Sequence, residues 1–479
     1  MKLQSQIERP VSKTASGQVR GVARNGAAIW LGIPYGRAQG HAGAFSPVEA
    51  VEPWDGYRDC ADKPAVFFQS RSRLASIMGD SIDEYRQSDD AFTVNVFAPQ
   101  DAHGLPVLVF IHGGAFGSGG GTHWYNAEHL AVRGNLVVVT INYRLGMWGN
   151  IAHPDAPTNN ALRDVVAALK WLNENISAFG GDAANVTLSG QSAGAAITRL
   201  LTLTPSTKGL FQRAIMISYP GRITAAASEM REVTGEVMAS LQLTSVAELA
   251  RRPAHDILAA TATVAQRRKG PIGPGAPVFR PYVDDDLLFD WVDDIDQSVS
   301  HAHCTDVIAG FTKDEIAAFV WERAEKINDS PATVVEWFKS AYGSHAAAAY
   351  DLLASKRPGA TPYSQLVDGM SDLMFARPAV EIAKTYGRAG TAWLYRFDVH
   401  TAQSFLMAPH CMELPFFFDN LADWNDAPML QGLSESGLQS LATRFSRCIV
   451  NFVRHGDPTL PGWNPFSEAH PGLTTFDLP

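Results

Sequence analysis

No apolar run in this chain of 479 residues approaches the roughly 18 residues that a membrane-spanning helix needs. A membrane is therefore not expected as a partner. Excess positive charge is missing too: 39 Lys and Arg stand against 49 Asp and Glu, a formal net charge of −10. That balance argues against nucleic acid or anionic lipid as a partner. Cysteine is scarce, and Cys60, Cys304, Cys411 and Cys448 form neither a Cys-x-x-Cys nor any close pair. A disulfide frame and a zinc site are thereby disfavoured, and four buried or half-buried thiols are expected, with no metal. Met1 to Pro10 lacks an apolar signal core, so the expected location is the cytoplasm. Repeats, low-complexity tracts and a separating linker are all absent, and residues 1–479 are expected to form a single domain. What the chain does have is apolar content: 46% hydrophobic against 18% charged residues, the make-up of a globular protein with a large core.

The apolar residues are organised. Val19–Ala23 and Ala27–Leu31 flank Asn25-Gly26, a favoured two-residue hairpin turn. Residues 37–90 are dotted with Pro, Ser and Gly and read as a long surface excursion. Strand-like runs follow at Phe92–Phe97, Val107–Ile111, Leu136–Ile141, Val186–Leu188, Ala214–Ile217, Val307–Ala309 and Trp393–Phe397. Those from Val107 to Ile217 are almost wholly apolar, the pattern of strands covered on both faces of a parallel sheet. Between them Leu162, Val165, Val166, Leu169 and Leu172 recur at helical spacing and predict a helix over Ala161–Ile176. The alternation implies a doubly wound α/β sheet. Helix-rich blocks at about 223–300, with a Pro/Gly knot at Gly270–Gly275, and at about 313–388 read as insertions capping that sheet.

Chemistry concentrates at Gly190-Gln191-Ser192-Ala193-Gly194, between the run Asn185–Ser189 and the helical run Ala195–Leu201. Chance would produce Gly-x-Ser-x-Gly only about 0.2 times in a chain this long. Between a strand and a helix the pattern is a nucleophile elbow, as in the α/β-hydrolases. Such a serine needs a base, a group that orients the base, and donors for an oxyanion. The donors are expected in the loop His112-Gly113-Gly114-Ala115-Phe116-Gly117, which follows the strand Val107–Ile111. The loop carries no phosphate-binding signature.

In this fold the chain order is serine, acid, histidine. Asp314 and Glu315 both follow the run Thr305–Phe311, and spacing does not separate them. For the base, His410 lies in an apolar loop, Met407–Phe416. His400 follows a strand and competes with it. His345, His455 and His470 lie in more polar surroundings.

These residues resemble the type-B carboxylesterases, which include bacterial para-nitrobenzyl esterases and the cholinesterases. Gly32-Ile33-Pro34-Tyr35, Ser88–Val96, Asn142-Tyr143-Arg144-Leu145-Gly146 and Asn175–Asp182 are similar to motifs of that family, and the likeness covers nearly the whole chain. The resemblance implies the α/β-hydrolase fold and no cofactor. It makes the Glu of Lys-Asp-Glu the acid, Glu315, and the His of His-x-x-Glu-Leu the base, His410. Glu413 becomes a structural partner nearby. It places oxyanion donors at Gly114, Ala115 and Ala193, and a buried structural ion pair between Arg144 and Asp164.

Four departures from the family matter. Gln191 stands where Glu is usual, which removes a negative charge beside the triad and weakens attraction for cations. Ala91 replaces a cysteine, so the early-loop disulfide of secreted members cannot form. Ala115 replaces the third glycine of the loop, and Ile316 replaces the glycine after the acid. The implied activity is hydrolysis of neutral carboxylic esters through an acyl-enzyme on Ser192, with a small-molecule ester as the partner. Amide, carbamate or polyester hydrolysis would use the same triad. A non-catalytic binding protein on this fold would usually lack the nucleophile or the base, and both are present. An apolar pocket is expected, with Phe116, Gln191, Phe319, Met407 and Phe416 as candidate lining.

Overall fold

The computed structural model describes residues 9–39, 41–79, 82–268, 273 and 275–479. Met1–Glu8 and most of the Pro/Gly knot (Gly270, Pro271, Ile272 and Pro274) lie outside the described residues. One ten-stranded sheet contains β1 (Val22–Arg24), β2 (Ala27–Pro34), β3 (Thr93–Pro99), β4 (Leu105–Ile111), β5 (Val137–Ile141), β6 (Gly181–Gln191), β7 (Arg213–Ile217), β8 (Asp306–Thr312), β9 (Ala392–Phe397) and β10 (Leu473–Phe476). Its order is β10-β9-β8-β7-β6-β4-β5-β3-β2-β1. The pairs from β10 to β5 are parallel, and β3, β2 and β1 continue it antiparallel.

Side chains of the central strands alternate between two cores, as the period-2 geometry of a strand requires. Val107, Val109 and Ile111 of β4 face one core, and Leu108 and Phe110 face the other. The first core is covered by α1 (Asn160–Asn175) and α2 (Ala193–Leu203). Two helices of the insertions, α3 (Ala227–Ser240) and α4 (Ala254–Arg267), share a smaller core with Trp148 and Ile151. In the second insertion α5 (Pro331–Tyr342) and α6 (Pro362–Ser371) cap the sheet end. A π-helical turn, Asp372–Ala376, joins α6 to α7 (Arg377–Ala389). α7 is not a cap: its Ala379, Ile382, Ala383 and Tyr386 pack on the first face of the sheet, as the crossover between parallel β8 and β9. The second face is covered by α8 (Glu435–His455), through Leu438, Leu441, Phe445, Ile449 and Phe452.

Two further local readings change. The N-terminal hairpin turns at Asn25-Gly26, pairing Val22 with Ile29, but Gln18–Arg20 belongs to a separate three-stranded sheet. The break falls at Gly21, whose N–H goes to Pro10 O. Residues 37–90 are not confined to the surface either, for Phe67, Ile77, Met78 and Ile82 are buried. All four cysteines are free and buried. Arg144 and Asp164 form the buried pair, at 2.6 Å and almost without exposure. A second nitrogen of Arg144, Nε, donates to Asp164 Oδ2 at 2.8 Å, so the grip is bidentate. No described helix is long and apolar enough to cross a membrane.

Candidate active site

In register, Gly190 stands beside Ile111 of β4 and Gln191 beside Ile217 of β7, so these strands finish level. Crevices at the carboxyl ends of such strands are where open α/β sheets bind ligands. Ser192 turns the chain from β6 into α2 with φ 57° and ψ −120°, outside the usual regions for a residue with a side chain. Its N–H is tied to Ile217 O at 2.8 Å. A Cβ at Gly190 would run into the backbone of Gly194, and one at Gly194 into Ile111 O. Glycine at both positions is therefore what permits the turn.

Glu315 and His410 come together from the turn after β8 and from the loop after β9. Both are buried, at 0% and 1% exposure, so water cannot weaken their contact. Glu315 Oε2 is hydrogen-bonded to His410 Nδ1, and Oε1 accepts from Thr312 N at 2.8 Å. The rival acid and the rival base bind elsewhere, in part to each other. Asp314 holds Arg357 and accepts from Ala408 N, and His400 Nε2 lies 3.4 Å from its Oδ2. Burial works to raise the Asp314 carboxyl, but the His400 hydrogen bond and the Arg357 charge prevail and hold it below the usual carboxylate range. His345, His455 and His470 are exposed. Glu413 is fully buried and accepts from Ser218 Oγ at 2.9 Å through Oε1, while Oε2 has no partner among the described residues. Burial and the nearby charge of Glu315 push its carboxyl up to about 7.

The glycine-rich loop is held from several sides. Tyr143 Oη donates to His112 O at 2.8 Å and its ring stacks on His112 at 4.4 Å. Burial pushes His112 down to about 4, so the ring is neutral, and its Nδ1 lies 2.8 Å from Gly113 O. Gln69 grips Gly119 twice, at 2.7 Å to its carbonyl and 2.6 Å from its N–H. Ala115 and Phe116 both take positive φ, 53° and 57°. Among the described residues the N–H groups of Gly114, Ala115 and Ala193 have no acceptor. That of Ala193 opens α2, where N–H groups are free by construction and the helix dipole favours an anion.

A carboxylesterase family model matches residues 8–479. The chain belongs to the carboxylesterase family. It is a carboxylic ester hydrolase with the α/β-hydrolase fold. It is 33% identical to the para-nitrobenzyl esterase of Bacillus subtilis, with 94% of this chain and 91% of that protein covered. Similarity to a phenmedipham hydrolase of Pseudarthrobacter oxydans is 30%, covering 98% and 95%. Among solved structures, a PNB esterase superposes with a TM-score of 0.81 at 30% identity, covering 98% of this chain and 96% of that one. The Geobacillus stearothermophilus carboxylesterase gives a TM-score of 0.84 at 28% identity, with the same coverage.

In this carboxylesterase a cavity of about 790 Å³ opens over Ser192 and His410. Gln191 and Phe319 line it, as do Gly114, Ala115 and Ala193. Phe116, Met407 and Phe416 do not. Phe116 is 1% exposed and sits in the first core, and Met407 packs against that core from the side. Phe416 packs on Phe397 at 5.0 Å in the core on the other face. Sequence reasoning missed Trp337 and Met370 from the second insertion, Phe375 from the π-helical turn, and Trp124 and Tyr125 after the glycine-rich loop. Phe375 and Phe319 flank the His410 ring at 5.1 and 5.4 Å. Their helical segments carry no local mark that separates a cavity wall from core. Gln69 was also missed, since a lone glutamine in a polar stretch gives no signal.

Proposed function

We propose that Ser192, His410 and Glu315 are the catalytic triad of a single-domain esterase acting on neutral carboxylic esters. The observation that carries this reading is the buried Glu315–His410 pair, which ends in the same cavity as the strained elbow serine. Glu315 accepts the Nδ1 proton, which leaves the Nε2 lone pair as the base. Ser192 Oγ attacks the ester carbonyl carbon, and its proton passes to His410 Nε2. The oxyanion of the tetrahedral intermediate is held by the N–H groups of Gly114, Ala115 and Ala193. When the C–O bond breaks, the leaving alkoxide takes the proton from Nε2 and departs as the alcohol. Water then gives a proton to His410 and attacks the acyl carbon. The Ser192 oxygen leaves with that proton, and the carboxylic acid is released.

The preference for neutral substrates rests on the charges of the wall. Gln191 is uncharged, and Glu229 is tied to Arg280 at 2.8 and 2.9 Å. The other charged residues of the wall, Arg73 and Arg222, are cationic, and Arg222 lies 3.4 Å from Asp293. A cationic substrate meets no unpaired carboxylate there among the described residues. Four unpaired, buried thiols support a reducing, cytoplasmic setting.

Ser192→Ala tests the nucleophile. It should lower para-nitrophenyl ester hydrolysis by about 10⁴-fold or more with the fold intact by circular dichroism. Activity within a few-fold of wild type would overturn the assignment.

A further inference from the structure

The atom that must take the Ser192 proton is already occupied. Gln191 Nε2 lies 3.0 Å from His410 Nε2. The Glu315 carboxylate can only accept, so in the neutral ring the proton sits on Nδ1 and Nε2 is a lone pair. The Gln191 amide therefore donates to that lone pair. Ser192 Oγ has no hydrogen-bond partner among the described residues. The base is thus capped by residue 191, with residue 192 waiting beside it.

We propose that Gln191 is a positioning residue whose amide caps His410 Nε2 in the resting enzyme, yields it to Ser192 as the ester enters, and turns its carbonyl oxygen to the Nε2–H once the imidazole is protonated. The inference rests on the assignment of Ser192 and His410 above. A primary amide suits this task because it carries donors at one end and an acceptor at the other, without charge. Half a turn of the amide exchanges one for the other. Glutamate could serve only the imidazolium, and methionine neither state.

Room for the turn comes from the loop opposite. Gly113 has no side chain, and a Cβ there would stand 2.6 Å from Gln191 Oε1. The surroundings add no competing donor to Nε2. Phe319 and Phe375 cover the ring faces. Glu315 holds the far nitrogen, and Glu413, whose carboxyl keeps its proton up to about 7, bears on the ring only through its charge above that pH. The Cys411 thiol is pushed up by burial and lies against the Gln191 amide.

The test is a titration of His410 by ¹⁵N NMR in wild type, Gln191→Glu and Gln191→Met, with His410→Gln identifying the resonance. The pH profile of kcat/KM on para-nitrophenyl acetate is measured alongside. The wild-type Nε2 shift above the midpoint should show a hydrogen-bonded lone pair. Gln191→Glu should raise both the titration midpoint and the acid limb of the profile by about one unit or more. Gln191→Met should lower them, because the imidazolium loses a charge-assisted acceptor while the neutral ring loses only the weaker amide donor. Midpoints unmoved in both variants, with kcat/KM lowered equally at every pH, would reduce Gln191 to packing and overturn the proposal. So would a free lone pair in the wild-type spectrum. If Ser192→Ala kept its activity, the nucleophile assignment would fall instead, and the titration would still read the Gln191–His410 contact.

Discussion

At the residue scale, two adjacent carboxylates with different partners are given different work. Glu315 is hydrogen-bonded to His410, the proposed base, and Asp314 pins Arg357 and the 400–408 loop. Glu315→Gln should cost about 10³–10⁴ in kcat with little change in Tm. Asp314→Asn should leave kcat/KM within about tenfold but destabilise the fold by about 1.5–3 kcal/mol, because Arg357 and His400 lose a charged acceptor while Arg357 keeps Asp368. Steady-state kinetics and thermal melts of the two variants decide it, and the opposite pattern would exchange their roles. The elbow and the glycine-rich loop are legible in the sequence because their constraints are local. Gly190 is forced by Gly194 and Thr198 within the same turn and helix, and Gly194 by the end of the neighbouring strand β4. The choice between Glu315 and Asp314, or between His410 and His400, is not local. It depends on which of two buried carboxylates faces which loop some 90 residues on, and the pairing of Glu315 with His410 was anticipated only by family resemblance.

At the scale of elements, the loop after β5 is held by α1. Arg144 sits where β5 gives way to Gly146, reaching Asp164 on α1 with its side chain and Ser46 O at 2.5 Å. Gly146 N in turn donates to Phe116 O at 2.6 Å, so the anchor extends to the glycine-rich loop. Asp164→Asn leaves a buried guanidinium uncompensated and should cost about 3–5 kcal/mol in denaturant unfolding. A cost below 1 kcal/mol would show that backbone acceptors suffice. Central strands were readable as continuous apolar runs, since nearly every residue of them is buried, and α1 from the period of its apolar stripe. The role of α7 was not. Its apolar face looks alike whether it packs on the sheet or on another cap, and only the parallel pairing of β8 with β9 demands a crossover there.

At the scale of the molecule, the catalytic end combines the sheet with chain from the 37–90 excursion and both insertions. That is why its aromatic walls, Phe319 apart, were invisible in the sequence: which side of a capping segment faces inward is a tertiary matter. The same burial leaves a mark on global stability. Glu413 has its carboxyl raised to about 7 in the folded protein, against about 4.3 when unfolded. The folded state therefore keeps a proton that the unfolded state has released. This contribution to stability is full below the unfolded value and is lost as pH rises through about 7. Glu413→Gln cannot titrate, so its Tm relative to wild type should climb between about pH 5 and 8. A difference in Tm that is flat or falls over that range would contradict the buried, proton-holding Glu413.

The central claim, that Ser192 is the nucleophile of this carboxylesterase, is tested most directly by covalent labelling. The protein is treated with a para-nitrophenyl alkylphosphonate and mapped by peptide mass spectrometry and crystallography. The account predicts one phosphonyl group per chain on Ser192 Oγ, with its phosphoryl oxygen against the N–H groups of Gly114, Ala115 and Ala193, and no labelling of Ser192→Ala. Inactivation with Ser192 unmodified, or a label on another residue, would contradict it.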